Sequence, residues 1–362
     1  KMEGSAASCI DRYLELAKGV TRSSLIKVAT PCIDDHLIAP EDFISQGLLH
    51  KEASKIVLKA LYLSRLARPD LLWTVNSLAR EVTKWTKACD KRLHRLMCYI
   101  HHTGDQVMTS HVGDNPEDCY LMLFCDASFA GDLKDSKSTS GVILCLVGPH
   151  TFCPITWLCK KQGAISHSSS EAEVIALDTA VRLEGIPALD LWELVIDVFG
   201  PRETISNASS TQHVMSRQDM PRGQHPDSSF FTSPHDSKAQ RKLPADLEIL
   251  MNVDYVPPNV PLRKNRAKLL ILEDNDAVIK MCIKQRSPNM RHVPRVHRVD
   301  LDSLFERIHV DQGINMRYIN TKQQLADIFT KGSFTEATWK TLCGLLQIGP
   351  SFPATKGTVT SK

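Results

Sequence analysis

The chain has 362 residues, of which 42% are hydrophobic, so it is long enough for two folded units and too apolar to be wholly disordered. Its formal net charge of +3 is only mildly basic, which excludes a histone-like domain and leaves any affinity for nucleic acid to local patches. The longest apolar runs are far too short to cross a bilayer.

Helical periodicity dominates the first predicted elements. Residues 1–50 show few periodic features and form a poorly defined N-terminal segment. In the helical region, which we define as residues 51–105, apolar residues recur close to every 3.6 positions and predict three helices. These helices are predicted over 53–67, 71–85 and 90–103, and Pro69 ends the first of them.

After residue 105 the sequence pattern changes from helical to β-rich. Short β-rich runs separated by turn residues predict an antiparallel three-stranded meander over 119–127, 140–148 and 155–162. Serines then precede Glu-Ala-Glu and an apolar stripe, which predicts a helix from residue 168. We expect a break in this helix near Gly185–Pro187 and a second helical stretch up to residue 200.

Residues 201–267 are rich in Ser, Pro, Gln, His and Arg and have no period, so we predict a disordered insertion. Beyond it we predict strands over 268–274 and 314–320, and helices over 300–308 and from 323.

These elements predict a sheet-bearing domain made of 118–200 and 268–345, followed by a linker-like tail, 346–362. Strands alternating with helices indicate an α/β fold, in which helices flank a mixed sheet.

Acidic residues recur at the ends of the predicted elements: Asp126, Glu173, Asp274 and Asp327. Neighbouring strands lie roughly 4.8 Å apart, so a sheet can gather such side chains into one small site. Several carboxylates together repel one another and raise each other's pKa unless a cation lies among them. Taken one at a time, each acid is better explained as a cap or a turn residue.

Hard divalent cations with oxygen ligands would supply the missing positive charge. Two such ions roughly 3.5–4 Å apart can clamp the attacking and leaving oxygens of an in-line phosphoryl displacement. The set of acids therefore predicts a site for two ions of Mg²⁺ or Mn²⁺, since both accept oxygen ligands.

Six blocks, in their order along the chain, resemble the ribonuclease H domain of copia-type retrotransposon polyproteins. The blocks are 124-FCDASFAGD-132, 137-KSTSG-141, 157-WLCKKQ-162, 168-SSSEAEVIAL-177, 272-LEDNDAV-278 and 323-QQLADIFTK-331. Upstream, 61-LYLSRLARPDLLWTVNSLARE-81 resembles the region between the reverse transcriptase and the ribonuclease H of that family. This resemblance makes residues 1–50 the tail of the reverse transcriptase region.

The resemblance implies a ribonuclease H-like fold with a five-stranded mixed sheet, preceded by a helical connection region. It assigns catalytic and metal-binding roles to Asp126, Glu173, Asp274 and Asp327. Glu173 is preferred to Glu171 because 172-AEVIAL-177 matches the family's helix. Only one of the two can face the metal, since residues two positions apart point to different sides of a helix.

The implied activity is metal-dependent hydrolysis of the RNA strand of an RNA–DNA hybrid, leaving a 3′-hydroxyl and a 5′-phosphate. Asp126 would hold both ions, with Glu173 and Asp274 on one side and Asp327 on the other. The resemblance implies two partners: the RNA–DNA hybrid and a reverse transcriptase domain of the same polyprotein. No polymerase activity is expected, because the Asp-Asp pair in 32-CIDDH-36 lacks flanking strands.

Polar and cationic residues near the acids are candidates for nucleic-acid contacts, with a solvated polar face as the alternative. The 2′-hydroxyl distinguishes RNA from DNA, and candidates for sugar or phosphate contacts are Ser128, Ser138, Thr139, Ser140 and the backbone of Gly141. Lysine candidates for phosphate contacts, with the salt dependence that follows, are Lys137, Lys160 and Lys161. A basic run is interpreted either as a hybrid-binding arm or as a solvated loop, and it comprises Arg291, His292, Arg295, His297 and Arg298.

Two further hypotheses remain open. The chain could be a catalytically inactive retroelement remnant with at most nucleic-acid binding, although four intact acids favour activity. Alternatively, the helical region could serve only to dock onto a polymerase partner. Trp73, Trp85 and Trp157 are better explained as core residues than as base-stacking ones.

The cysteines and the N-terminus bear on the cellular compartment. Eleven cysteines are scattered without a C-x-x-C pair or zinc spacing, which indicates reduced thiols. The N-terminus lacks the layout of a secretory signal, so we expect an intracellular protein, cytoplasmic or nuclear, without a membrane partner. The first residue, Lys1, indicates a fragment of a longer protein.

Overall fold

A computed structural model describes residues 4–131, 135–200 and 265–351. Nearly all of the predicted insertion, 201–267, and most of the predicted tail, 346–362, lie outside the described residues.

In the described residues, four α-helices and a short strand precede the sheet. They are α1 (Ser5–Leu16), α2 (Ala53–Leu66), α3 (Leu72–Ala79), α4 (Lys87–His102) and β1 (Gln106–Met108). Helices α2 to α4 confirm the three predicted helices, although α3 is shorter than predicted. Helix α1 was not expected within residues 1–50, but it is amphipathic and buries Cys9, Ile10 and Tyr13 on one face.

Five strands form one mixed sheet. They are β2 (Tyr120–Ser128), β3 (Thr139–Gly148), β4 (Thr151–Lys161), β5 (Leu269–Glu273) and β6 (Ile314–Tyr318), in the order β4-β3-β2-β5-β6. Strands β2, β3 and β4 pair antiparallel, which confirms the predicted meander. Strands β5 and β6 extend the sheet in parallel with β2. The predicted mixed α/β architecture is therefore confirmed.

A second group of helices covers one face of this sheet. They are α5 (Ser169–Ala180), α6 (Ile186–Phe199), α7 (Asp276–Lys284), α8 (Val293–Val296) and α9 (Leu301–Val310). The break predicted near Gly185–Pro187 is instead a π-helical turn, Val181–Gly185, through which α5 continues into α6. A Cβ on Gly185 would lie 3.0 Å from the Leu269 side chain, so a small residue lets this turn approach the sheet.

The C-terminal part differs from the sequence-based predictions in two places. The helix predicted from residue 323 is a 3₁₀ helix over Leu325–Phe329, and the next α-helix is α10 (Glu336–Leu345). The predicted linker-like tail begins with a strand, β7 (Ile348–Pro350), which pairs antiparallel with β1. Strands of three residues are too short for the alternation of apolar and polar residues to reveal them.

The two faces of the sheet carry separate cores, because successive side chains of a strand point to opposite faces. Leu121, Leu123 and Cys125 contribute to the core that contains α5, α6, α7 and α9. Phe124 and Leu272 contribute to the other core, which contains α1 to α4 and α10. The helical region is therefore packed onto the sheet as a layer.

Two general expectations can be compared with the structure. All eleven cysteines are free thiols, as predicted. Within the described ranges, no helix combines the length and the apolar character that a membrane span requires.

A buried charged network joins the helical region to α10. Arg68 Nε and Nη2 donate to the two carboxylate oxygens of Asp70 at 2.9 and 2.8 Å, and neither side chain is more than 3% exposed. Tyr99 Oη donates to Asp70 Oδ2 at 3.1 Å and accepts from Trp339 Nε1 at 3.0 Å. Each buried charge is thus paired and hydrogen-bonded, which offsets the cost of removing it from water.

We expect Arg68→Ala to lower the free energy of unfolding by about 3–5 kcal/mol, because it leaves the Asp70 carboxylate buried without its partner. Chemical denaturation followed by circular dichroism measures this change. Lys340→Ala is the control, since Lys340 pairs with Glu336 on the exposed surface of α10 and should alter stability little. Equal effects of the two substitutions would contradict the assigned role of the buried pair.

Candidate active site

Asp126 and Asp274 lie at the same end of neighbouring parallel strands. Phe124 in β2 is paired with Leu272 in β5. Since side chains alternate along a strand, Asp126 and Asp274, each two positions further on, point to the same face as this pair. Asp126 is buried, whereas Asp274, which directly follows the last residue of β5, is partly exposed.

Glu173 comes to the same end of the sheet from α5, whose first turn is tied to the strands. The side chain of Gln162, buried directly after β4, donates to the carbonyl of Ala172 at 2.8 Å. The backbone N–H of Ala127 in β2 is close enough to the Glu173 carboxylate to oppose the rise in its pKa. Its Oε2 is buried and has no hydrogen-bond partner among the residues that the structure describes.

Asp327 lies in what we call the Asp327 segment, residues 324–332, which contains the 3₁₀ helix. Gln324 is fully buried and its Nε2 donates to a backbone carbonyl of β2 at 2.9 Å. Near the other end, the hydroxyl of Thr330 donates to Asp126 Oδ2. Lys331 Nζ lies 2.6 Å from Asp327 Oδ1. These bonds hold the fourth acid beside the first.

The four acids, which we call the carboxylate site, are close enough for their charges to interact. Burial is the largest cause that raises the pKa of Asp126, Glu173 and Asp327. The negative charge of Asp274 raises the pKa of all three further. Lys331 and the Thr330 hydroxyl act in the opposite direction on Asp126, but they do not cancel the shift.

Two neighbours of the carboxylate site were missed in the sequence. Glu273 is fully buried on the face of β5 opposite to Asp274, and burial raises its pKa to about 8. Its Oε1 accepts the N–H of Asn275 at 3.0 Å. Glu273 lies four positions after Leu269 in β5 and therefore on the same, core-facing side of the strand. This alternation could have identified Glu273 as a buried acid in the sequence. Lys331 could have been found because it lies four residues after Asp327, a spacing that allows a local ion pair.

The donor chemistry of the carboxylate site fits a hard divalent cation. It offers oxygen atoms only, concentrates negative charge, and includes the unpartnered, buried Oε2 of Glu173. No ready-made cluster of three or more His, Cys, Asp or Glu ligands occurs within residues 4–131, 135–200 and 265–351. Part of the charge is balanced instead by the ammonium group of Lys331.

Glu171 has different surroundings from Glu173. Its two carboxylate oxygens lie 3.1 Å from His292 Nε2 and 3.1 Å from His297 Nε2. These two histidines of the predicted basic arm therefore contact the protein and anchor the arm to the first turn of α5. Three arginines of the arm are exposed: Arg291, Arg295 and Arg298.

The predicted sugar- and phosphate-contacting groups lie at the ends of β2 and β3. Ser138 and Ser140 are buried, and their hydroxyls already accept hydrogen bonds from Ala130 N–H at 3.2 Å and from Gln162 Nε2 at 3.0 Å. Thr139 is buried as well. Their contact with nucleic acid stays a prediction.

Gly141 has a structural reason to be glycine. It is paired with Asp126 across β2 and β3. A Cβ at this position would lie 2.6 Å from Thr330 Cγ2 and 2.8 Å from the carbonyl oxygen of Ala326. The absence of a side chain therefore allows the Asp327 segment to pack directly over the end of the sheet. Its predicted backbone contact with a nucleic acid is untested.

The three predicted lysine contacts differ in exposure. Lys160 is exposed, Lys137 is partly buried, and Lys161 Nζ lies 2.8 Å from Asp135 Oδ1. They remain predicted phosphate contacts.

A cleft of about 710 Å³ opens beside the carboxylate site. Ser128, Thr139, Thr330 and Lys331 line it from the sheet-bearing domain, and Trp73, Ser77 and Arg80 line it from α3 and the residue that follows. The cleft provides room for an extended ligand next to the acids.

The fold and the site define a mixed α/β protein with a cluster of carboxylates at one end of its central strands. Comparison with known proteins gives 36% identity over 135 residues with the retrovirus-related Pol polyprotein from transposon RE2 of Arabidopsis thaliana. The Pol polyprotein from transposon RE1 of the same plant is 33% identical over 135 residues. Each match covers 37% of this chain and 9% of the polyprotein.

A third relative is shorter. The secreted RxLR effector protein 161 of Plasmopara viticola is 30% identical over 122 residues, which are 34% of this chain and 81% of that protein. The chain therefore belongs to the same family as this protein, and the transposon relatives support a fragment of a copia-type retrotransposon Pol polyprotein. No family model matches the chain. No solved structure matches it.

Stability should depend on pH and on Mg²⁺. The carboxyl pKa values are higher in the folded state, so above about pH 4 the folded state binds more protons than the unfolded state. The free energy of unfolding therefore falls as the pH rises through the folded-state pKa values, of which that of Glu273 is about 8. Without divalent ions, we expect a lower melting temperature at pH 8 than at about pH 5. Mg²⁺ should raise it more at pH 8, because it binds ionised carboxylates.

The control is Glu173→Gln. Burial and the neighbouring carboxylates raise the pKa of Glu173 to about 10, so folding at pH 8 requires this side chain to take up a proton, which glutamine does not need. Without Mg²⁺ it should melt higher than the parent chain at pH 8 and similarly at about pH 5. Differential scanning calorimetry measures both effects. A melting temperature that does not change with pH in either protein would contradict the inferred repulsion.

Proposed function

We propose that the chain is a metal-dependent ribonuclease H-type endonuclease that hydrolyses the RNA strand of RNA–DNA hybrids. The observation that supports this proposal is that the charges of Asp126, Glu173, Asp274 and Asp327, which are far apart in the sequence, interact at one end of the sheet. The five-stranded mixed sheet is compatible with a ribonuclease H-like fold. The similarity to transposon Pol polyproteins supports a role in such a polyprotein.

Each residue of the carboxylate site has a proposed role in metal binding. Bound Mg²⁺ or Mn²⁺, as two ions, would activate a water molecule and stabilise the charge that develops on the phosphate. Asp126, on the central strand β2, would contact both ions. Glu173 and Asp274 would hold one side and Asp327 the other. To bind an ion, the Asp327 carboxylate would have to leave its present partner, the Lys331 ammonium. Lys331 would then be available to contact a phosphate oxygen of the substrate.

The surroundings of the carboxylate site favour a long polyanionic substrate. The cleft beside the acids is open towards Ser128 and Thr139. The arm that carries Arg291, Arg295 and Arg298 is anchored to α5 close to Glu173. We propose that this arm binds the backbone of the hybrid, while groups at the ends of β2 and β3 recognise the 2′-hydroxyl.

Activity can be tested with an end-labelled RNA–DNA hybrid and the full 362-residue chain. With Mg²⁺ we expect internal cleavage of the RNA strand only, giving 3′-hydroxyl and 5′-phosphate ends. Loss of a residue that only orients a metal ligand typically lowers activity by roughly 10–100-fold. Asp126→Asn should reduce the cleavage rate by more than this, because Asp126 is proposed to bind the metal itself. Hybrid bound but not cleaved by the parent chain would favour the inactive remnant. Equal rates for parent and variant would exclude this site.

The binding arm predicts a change in salt dependence. Arg295→Ala combined with Arg298→Ala should weaken hybrid binding and reduce the slope of log affinity against log salt by about 2, or about 1 per lost phosphate contact. Fluorescence anisotropy with a labelled hybrid measures the slope. Lys18→Ala provides the control, because Lys18 is an exposed cation after α1 and outside the cleft. An unchanged slope in the double variant would contradict binding by the arm.

A further inference from the structure

The helical region touches the Asp327 segment through one aromatic side chain. Trp73, on α3, donates from its indole Nε1 to the carbonyl oxygen of Thr330 at 3.0 Å. The same indole ring lies against the backbone of Gly332, where a Cβ would be only 2.2 Å from Trp73 Cη2. The ring and its N–H therefore fix the Asp327 segment from the side opposite to the sheet.

Thr330 connects this contact to the carboxylate site. The residue is 2% exposed, and its hydroxyl donates to Asp126 Oδ2. Its backbone N–H bonds the carbonyl of Asp327 at 3.1 Å. One residue thus links an indole in the helical region to the carboxylate of the first acid and to the backbone of the fourth.

The Asp327 segment has little room to shift between its two supports. On the sheet side, Thr330 Cγ2 packs over Gly141, the β3 residue paired with Asp126. On the other side, Gly332 packs against the ring of Trp73. Removing either support would let Thr330 move relative to Asp126, and a hydrogen bond weakens steeply once its distance and angle are lost.

We propose that Trp73 is a positioning residue of the carboxylate site: it holds Thr330 so that the Thr330 hydroxyl orients Asp126 for metal binding. This inference rests on the proposed function and extends it to the helical region, which then contributes to the site in addition to any docking role. The residues that orient a metal ligand typically alter affinity or activity by about 10–100-fold when removed.

The chain offers a matched control for Trp73. Trp157, on β4, donates from Nε1 to the carbonyl oxygen of Ser64 in α2 at 3.1 Å. Both tryptophans thus tie the sheet-bearing domain to the helical region with the same kind of bond. Within the described part of the chain, the Trp157 indole N–H bonds Ser64 and not the Asp327 segment. Trp157→Phe therefore reports the cost of losing such a tie without the proposed effect on Asp126.

The experiment measures Mg²⁺ binding and cleavage in the full chain for Trp73→Phe, Trp157→Phe, Thr330→Val and the double variant Trp73→Phe with Thr330→Val. Mg²⁺ affinity is obtained from the rise in melting temperature during a Mg²⁺ titration, which needs no activity. We expect about 10-fold weaker Mg²⁺ binding and a lower kcat for Trp73→Phe, with no change for Trp157→Phe. Thr330→Ser, which retains the hydroxyl, should remain close to the parent.

The double variant tests whether Trp73 acts through Thr330. If it does, Trp73→Phe should add little to Thr330→Val, and the two effects should be far from additive. Fully additive effects, or equal losses in Trp73→Phe and Trp157→Phe, would overturn the proposal. So would a higher KM for the hybrid with unchanged Mg²⁺ affinity, because it would indicate direct contact with nucleic acid from the cleft wall. A parent chain without any response to Mg²⁺ would overturn the proposed function, and this inference with it.

Discussion

The structure depends on withdrawing several negative charges from water at one end of a sheet. Each buried carboxylate loses solvation, and each raises the energy of its neighbours. The opposing contributions visible in the described residues are a lysine, a threonine hydroxyl and a few backbone N–H groups. Such an arrangement persists only where the surrounding elements are rigid enough to prevent the charges from moving apart, because relaxation would lower their energy.

That rigidity comes from both faces of the sheet. Helix α5 delivers Glu173 from one core, while the Asp327 segment lies over the other core, beneath α3 and α10. The contacts of Glu171 with two histidines have a related role, because they join the N-terminal turn of α5 to the arm after α7. The same glutamate pair in the sequence, two positions apart, thus divides into a structural anchor and a member of the carboxylate site.

Hydrophobic periodicity was sufficient to predict the meander, the helices of the helical region and the mixed sheet, because those elements are long and strongly patterned. The positions of the acids at element ends predicted a shared site. In the structure the charge of Asp274 acts on the other three acids, and their joint role as metal ligands stays a prediction. Elements of three residues, β1 and β7, carry no readable period. The bond between Trp73 and Thr330 joins residues 257 positions apart, and no local pattern in a single sequence indicates such a contact. A core position was predicted for Trp73, but its side chain is only partly buried and lines the cleft, and the direction of its N–H depends on the tertiary fold.

The short ribbon of β1 and β7 has a topological consequence. Gln106 is the partner of Pro350, so the polypeptide departs for the sheet and comes back at a single point. The chain between these two strands thus begins and ends at neighbouring points, which is the arrangement that lets a unit be inserted into a longer chain without separating the residues on either side of it.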